Sequence, residues 1–202
     1  MLHRGYLIGG FASWKYYYLP LTYLLEKQGL IVNLLNPGPF GVNIWPLATF
    51  EKEARKVLER ESEVFLIGHS LGGIQAVWAA SLFPEKVKKI FAIGSPLYGS
   101  PWPVYEDGIR TLLDVSPERF DHFRNTIVPS FASRLVTISC PHDIMAPVDK
   151  CSVPGAANYI VKTGDDFVAT SHLIIPYLSA SLSIIQKELG EQGILLLSSE
   201  GV

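Results

Sequence analysis

Six short apolar runs constrain the fold of this chain more than any other feature. Each run is continuously apolar, which is typical of strands buried on both faces of a parallel sheet. Longer stretches with helical periodicity separate the runs. This alternation predicts an α/β fold with a doubly wound, mostly parallel sheet, helices on both faces and right-handed crossovers. The six runs cover residues 6–8, 30–35, 64–67, 90–93, 135–138 and 159–161.

Three segments between the runs predict helices. Leu47, Phe50, Ala54 and Leu58 fall on one helical face with charged residues opposite, so this helix should be amphipathic. Residues 71–83 are apolar nearly all round, which predicts a central, buried helix. Residues 172–189 predict one long closing helix, provided that its proline lies in the first turn.

The stretch between residues 100 and 134 is too long for a plain loop. Within it, Ser116-Pro117 is a typical helix start, with a capping serine and a proline at the first helical position. We predict one domain over residues 1–202 with a helical cap or lid inserted at about 100–134. A helix packed on the sheet is an equally open interpretation. As a cap, the insertion would line a substrate pocket with its large apolar side chains: Trp102, Tyr105, Phe120, Phe123 and Ile127.

Composition excludes several classes of protein. Hydrophobic residues make up 48% of the 202 residues and charged residues 18%, which excludes intrinsic disorder. A net charge of -2 gives no global positive field for nucleic acid, so no such partner is expected. No run approaches the roughly 20 apolar residues of a membrane span. No signal peptide is recognised, so we expect a cytoplasmic protein, or a secreted one if a signal has been removed.

Cys140 and Cys151 are too few for a disulfide scaffold or a four-thiolate zinc site. A single disulfide between them is possible, and it would close the loop that carries Asp143. Two free thiols fit a cytoplasmic protein better. No metal and no cofactor is expected.

Residues 68–72 match the pattern G-x-S-x-G, with Ser70 at its centre. An apolar run leads into the motif and an apolar helix leads out of it. Small residues at both ends allow a sharp turn between strand and helix, which would lift the Ser70 hydroxyl above the carboxyl edge of the sheet. We therefore interpret Ser70 as a candidate nucleophile. A plain glycine-rich turn with a capping serine is the alternative.

A serine nucleophile needs a base, and the base needs an acid to orient it. His172 is the histidine that follows both Ser70 and a loop carboxylate, in the chain order Ser…Asp…His. Asp143 follows the fifth apolar run by a short turn and is the preferred acid. The remaining candidates are His3, His69, His122 and His142 as bases, and Asp149, Asp165 and Asp166 as acids.

Two backbone amides are the candidates for stabilising an oxyanion. Leu71 directly follows the nucleophile at a helix N-terminus, and Phe11 follows the Gly9-Gly10 turn after the first run. That turn could equally be a bare bend or a phosphate cradle. Nucleotide binding is disfavoured because the spacing G-x-G-x-x-G and a P-loop lysine are absent.

In these motifs the chain resembles the α/β-hydrolase superfamily, and within it the small bacterial lipases and esterases. The resemblance spans nearly the whole chain. It implies that Ser70 is the nucleophile, His172 the base and Asp143 the acid, with Phe11 and Leu71 as oxyanion donors. It also implies a minimal six-stranded sheet. The motifs are residues 9–11, 68–72, 94–100, 142–147 and 171–172.

The predicted activity is hydrolysis of carboxylic esters through an acyl-enzyme, on a small-molecule or lipid ester. A thioesterase or a phospholipase with the same triad is the alternative among enzymes. A catalytically silent α/β-hydrolase that serves as a binding module is the alternative outside them. The oligomeric state is left open.

Overall fold

Six parallel strands form a single sheet in the order β2-β1-β3-β4-β5-β6. The computed structural model describes residues 4–35, 43, 46–100, 102–163 and 171–190. Each predicted apolar run contributes one strand, which confirms the predicted six-stranded parallel sheet. The strands are β1 (Arg4–Ile8), β2 (Ile31–Leu34), β3 (Val64–His69), β4 (Val87–Ile93), β5 (Leu135–Ser139) and β6 (Ala157–Ile160).

The helices lie between the strands and after the last one. In the described part of the chain, none of them has the length and apolar character needed to cross a membrane. Their bounds are α1 (Lys15–Lys27), α2 (Leu47–Leu58), α3 (Leu71–Leu82), α4 (Pro103–Leu113), α5 (Pro117–His122), α6 (Val128–Ser130), α7 (Val148–Cys151), α8 (Ser171–Ile174) and α9 (Ser179–Gly190). A π-helical turn, Phe123–Ile127, joins α5 to α6.

The strand order reverses at β1, because the chain moves to β2 on one side of it and then to β3 on the other. Such a switch point leaves a crevice at the carboxyl ends of the strands, where open α/β sheets bind ligands. The loop after β1 and the turn after β3 both end at this crevice. The topology therefore brings Gly10 and Ser70 together.

Each face of the sheet has its own hydrophobic core. One core contains α2 and α3, and the other contains α1 and α9. All residues of β3 are buried, which explains why its sequence does not alternate. In α3 every residue from Leu71 to Ala80 is buried, as the apolar sequence predicts.

The insertion packs against α3 by way of α5 and the π-helical turn. The ring of Phe123 stacks on Trp78 of α3 with centroids 4.9 Å apart. The ring of Phe120 stacks on that of Phe123 with centroids 6.1 Å apart. Ser116 caps α5 as predicted, since its hydroxyl accepts a hydrogen bond from the amide of Arg119 at 3.3 Å. The division into one domain with a helical cap or lid at about 100–134 stays a prediction.

The closing segment is broken, and the prediction of one continuous helix is wrong. Between α8 and α9 lie a 3₁₀ turn, Ile175–Tyr177, and the extended residue Leu178 (φ -63°, ψ 135°). Pro176 lies inside this turn rather than in the first turn of a long helix, and it has no N–H with which to continue the α-helical ladder. The carbonyl of Ile175 instead accepts a hydrogen bond from the Ser181 hydroxyl at 2.7 Å.

Candidate active site

Ser70 occupies a tight turn between β3 and α3. Its backbone has φ 55° and ψ -125°, a conformation that costs a non-glycine residue about 1–3 kcal/mol and persists only where the surroundings enforce it. The amide of Ser70 donates to the carbonyl of Ile93 at 2.9 Å, and its carbonyl accepts from the amide of Gly73 at 3.0 Å. Strand β4 and the first turn of α3 thus hold the serine in this conformation.

The glycines of the motif are required by space. A Cβ added to Gly68 would lie 2.3 Å from the carbonyl oxygen of Gly72, and one added to Gly72 would lie 2.1 Å from the carbonyl oxygen of Ile8. Real Cβ atoms do not approach backbone this closely. The first turn of α3 can therefore pack directly on the ends of β1 and β3, which sets the position of Ser70.

Three side chains from three separate segments of the chain form a hydrogen-bonded chain at the sheet edge. His172 Nε2 lies 2.9 Å from Ser70 Oγ, and His172 Nδ1 lies 2.7 Å from Asp143 Oδ2. Asp143 Oδ1 accepts the amides of Met145 and Ala146, each at 2.9 Å. With both carboxylate oxygens engaged, the Asp143 side chain has a fixed orientation. The arrangement can carry a proton from the serine hydroxyl to the imidazole.

Of the alternative bases, His69 is buried beside this chain of contacts, with its Nε2 2.8 Å from the backbone carbonyl oxygen of His172. Among the described residues, no hydrogen bond joins His69 to Ser70. Asp149 has a side chain that is 73% exposed and pairs with Lys150 at 3.8 Å. His122 is exposed and His142 is half-buried. His3, Asp165 and Asp166 lie outside the described residues.

The loop after β1 runs alongside Ser70. A Cβ added to Gly10 would lie 3.1 Å from Cβ of Ser70, so a side chain at this position would crowd the serine. Phe11 and Leu71, the two predicted oxyanion donors, both line the cavity in front of Ser70. Within the described part of the chain, neither of their amides donates a hydrogen bond to another residue. Their role as oxyanion donors stays a prediction.

The cavity in front of Ser70 has a volume of about 580 Å³. Its described lining contains no Asp, Glu, Lys or Arg. Helix α4 contributes Val104, Ile109 and Leu112 to the lining, and the segment after β1 contributes Trp14 and Tyr17. The site therefore suits an uncharged, apolar group next to the serine hydroxyl.

The predicted pocket residues need correction. Phe120 and Phe123 are fully buried, and Ile127 packs on the same core, while Trp102 is 60% exposed. None of these four residues lines the cavity, and the side chain of Tyr105 lies outside the described structure. The insertion does reach the site, but through α4. The apolar face of α5 and the π-helical turn is instead covered by α3.

Trp14 and Tyr17 line the cavity although no sequence motif singles them out as pocket residues. A signal was present, because these aromatic residues closely follow the Gly9-Gly10 turn that was proposed to approach the nucleophile. Met145 and Leu173 also line the cavity. Met145 lies two residues after Asp143 and Leu173 directly follows His172, so both adjoin residues that the motifs predict to be catalytic.

Both cysteines are free thiols in the structure, which is the alternative to the disulfide. The Cys151 thiol donates to the carbonyl of Ala146 at 3.2 Å, and Cys140 Sγ lies 3.5 Å from the hydroxyl of Thr163. Burial raises the pKa of the Cys151 thiol above its ordinary value, so it stays protonated. The Asp143 turn is thus stabilised by its own hydrogen bonds and not by a disulfide. Among the described residues there is also no group of three or more metal-binding side chains.

Comparison with known families identifies the fold. The sequence profile of the alpha/beta hydrolase fold family matches residues 7–139. The chain belongs to the α/β hydrolase family. The matched part extends from β1 to the end of β5 and includes the Ser70 turn.

Two curated plant relatives match part of this hydrolase. Methylesterase 9 of Arabidopsis thaliana is 35% identical over 97 residues, which cover 43% of this chain and 37% of the relative. An alpha-hydroxynitrile lyase of the same plant is 31% identical over 97 residues, which cover 44% and 35%. The match thus spans little more than a third of the length of each relative.

Solved structures share the fold over most of the chain. The ydeN gene product of B. subtilis superposes with a TM-score of 0.67 at 16% identity, covering 93% of this chain and 99% of that one. A monoacylglycerol lipase of Paleococcus ferrophilus gives a TM-score of 0.59 at 15% identity, covering 92% and 94%. At such identities the likeness concerns the fold alone.

Proposed function

We propose that this α/β hydrolase cleaves carboxylic esters, with Ser70 as nucleophile, His172 as general base and Asp143 as the acid that orients it. The observation that carries the proposal is the continuous hydrogen-bonded chain from Ser70 Oγ through the imidazole to a buried carboxylate. A serine hydroxyl is a weak nucleophile unless such a base is in contact with it.

The reaction begins when Ser70 Oγ attacks the ester carbonyl carbon and its proton moves to His172 Nε2. The carbonyl electron pair moves to the oxygen, and the amides of Phe11 and Leu71 stabilise the resulting negative charge. The intermediate collapses, the bond to the alcohol oxygen breaks, and the imidazolium returns its proton to the leaving alcohol. Water then attacks the acyl-enzyme by the same route and releases the acid. Throughout, Asp143 accepts a hydrogen bond from His172 Nδ1–H and stabilises the transient imidazolium.

The cavity supports a neutral, apolar ester as substrate. Its walls offer aliphatic and aromatic surface, and no described lining residue carries a formal charge that would bind a carboxylate or phosphate. Burying acyl methylene groups stabilises the bound state by about 0.8 kcal/mol each, or about fourfold in kcat/KM. We therefore expect medium or longer acyl chains to be preferred over acetate. The names of the methylesterase and monoacylglycerol lipase relatives agree with ester chemistry.

Other reactions of the same serine remain alternatives to the proposal. A thioesterase would use the same attack on a thioester carbonyl. A phospholipase is less well supported because the described lining offers no cation for a phosphate. Lyase chemistry is suggested by the relative named alpha-hydroxynitrile lyase. A silent binding module would have no need for the contacts between Ser70, His172 and Asp143.

The test is a substrate panel assayed with wild-type protein and Ser70→Ala. It contains p-nitrophenyl esters from acetate to laurate, an acyl thioester and an aromatic hydroxynitrile. We expect kcat/KM to rise from acetate to the medium chains, and Ser70→Ala to abolish this turnover. Cleavage of the hydroxynitrile or thioester alone would replace the ester proposal. A steady fall in kcat/KM from acetate upward would contradict the role of the apolar walls.

A further inference from the structure

At the Ser70 site, two buried side chains that contribute to the cavity lining connect the loop after β1 to the residue proposed as base. The hydroxyl oxygen of Tyr18 lies 2.7 Å from the amide nitrogen of Gly10 and 2.7 Å from His69 Nδ1. His69 Nε2 lies 2.8 Å from the backbone carbonyl oxygen of His172. Tyr18 is fully buried and His69 is 2% exposed. The four groups form one uninterrupted series of short contacts.

The hydrogens of this series can be assigned in only one order. A carbonyl oxygen accepts only, so His69 Nε2 carries the hydrogen that is donated to His172. In a neutral imidazole Nδ1 is then an acceptor, and the Tyr18 hydroxyl donates to it. The Tyr18 oxygen in turn accepts the amide hydrogen of Gly10. Burial, and the neighbouring His172 to a smaller extent, lower the pKa of His69 to about 3, which agrees with the neutral tautomer.

We propose that Tyr18 and His69 are positioning residues that fix the distance between the loop after β1, which carries Phe11, and His172, on either side of Ser70. The inference rests on the proposed function, which defines the atoms whose spacing matters. Gly10 immediately precedes the proposed donor Phe11 and lies next to Ser70, so that an added Cβ would be 3.1 Å from Ser70 Cβ. The carbonyl at the far end belongs to the base itself. A misplacement of about 1 Å in such a site is enough to cost about a hundredfold in rate.

Other side chains hold the same loop by different groups. The Ser13 hydroxyl donates to the carbonyl of Gly10 at 2.6 Å, and the side-chain Nδ2 of Asn43 donates to the carbonyl of Gly9 at 2.7 Å. Among the described residues, the Tyr18 hydroxyl alone accepts the Gly10 amide. Loss of that hydroxyl should therefore leave the loop folded but disconnect it from His172.

Tyr18→Phe tests the proposal by removing one oxygen atom. We expect kcat on the best p-nitrophenyl ester to fall about ten- to a hundredfold with KM within about twofold, since alignment rather than ground-state binding is lost. The matched control is Tyr23→Phe on the same helix, whose exposed side chain lies away from the site, and its kinetics should equal those of wild type. An unchanged kcat in Tyr18→Phe would overturn the proposal.

A pair of substitutions at His69 separates positioning from simple packing. His69→Gln keeps one acceptor and one donor, whereas His69→Leu keeps neither. We expect the leucine variant to lose at least as much kcat as Tyr18→Phe, and the glutamine variant to recover part of that loss. Because both residues act in one series, combining Tyr18→Phe with His69→Leu should cost no more than the worse single variant. Fully additive losses would show that they act separately and would contradict the proposal.

The tautomer of His69 is measurable in the wild-type protein, whether or not the variants fold. In a ¹⁵N-histidine-labelled sample, long-range ¹⁵N–¹H correlation should show His69 as a neutral ring protonated at Nε2. A ring protonated at Nδ1 would refute the series. The proposed function fails separately, if Ser70→Ala retains activity. An inactive Ser70→Ala together with an unaffected Tyr18→Phe would reject this inference alone.

Discussion

Replacing His69 should make the folded protein less sensitive to acid. The ring is buried against Tyr18 and Tyr17 of α1 and beside His172, with Asp143 as the nearby carboxylate. Burial lowers the pKa of His69 in the folded state from 6.5 to about 3. In the unfolded chain it titrates normally.

The direction in which pH changes the free energy of unfolding follows from proton binding at His69. Between pH 6.5 and about 3 the unfolded chain binds a proton at His69 that the folded protein does not, so acidification favours unfolding. At pH 8 His69 is unprotonated in both states, so its titration does not change the free energy of unfolding. At pH 5 a pKa of 6.5 in the unfolded chain and of about 3 in the folded protein lowers the free energy of unfolding by about 2 kcal/mol relative to pH 8.

The assay is urea denaturation of wild type and His69→Gln at pH 8 and pH 5. The glutamine variant should be less stable at pH 8, because it packs less well. The gap in free energy of unfolding should narrow by about 2 kcal/mol at pH 5, since only wild type loses the His69 contribution. Equal gaps at both pH values would refute the reasoning, because they would mean that His69 titrates alike in the folded and unfolded states.

Four further predictions follow from named contacts. Leu112→Trp should fill the part of the cavity beside α4. In a p-nitrophenyl ester series, its kcat/KM on the laurate ester should fall at least tenfold, while kcat/KM on the acetate ester should stay within about threefold of wild type. Phe123→Ala should lower the free energy of unfolding by about 3–5 kcal/mol in urea melts while keeping the ratio of long-chain to acetate activity, because this ring packs on α3 and not in the cavity. Asp143→Asn should lower kcat by about 10³-fold or more, measured on the preferred ester, with little change in KM. Titration of the denatured, unreduced protein should find Cys140 and Cys151 both as free thiols, and reductant should leave its melting temperature unchanged.

The strands of the sheet were predictable because their causes are local. Strands that are buried on both faces must be apolar throughout, so six continuous runs indicated six strands. The turn at Ser70 was equally readable, because Gly68 and Gly72 stand where any Cβ would collide with backbone. The positions of Asp143 and His172 at the carboxyl edge follow from the strands that precede them.

The lining of the cavity could not be predicted, because it depends on which helix face meets which neighbour. The apolar face of Phe120 and Phe123 looked equally suited to a pocket or to a core, and Trp78 of α3 decides in favour of the core. The link from Tyr18 to His69 is likewise invisible in the sequence. It joins residues separated by 51 positions, whose contact exists only after α1 packs beside β3.

The most direct test of the proposed mechanism is covalent labelling with a fluorophosphonate, followed by peptide mapping by mass spectrometry. The account predicts a single adduct on Ser70. It also predicts no adduct and a loss of turnover of about 10³-fold or more in Ser70→Ala, with a comparable loss in His172→Ala. His142→Ala, which alters the half-buried histidine next to Asp143, is the matched control and should stay near wild type. An adduct on another residue, or near-normal turnover in Ser70→Ala, would contradict the account.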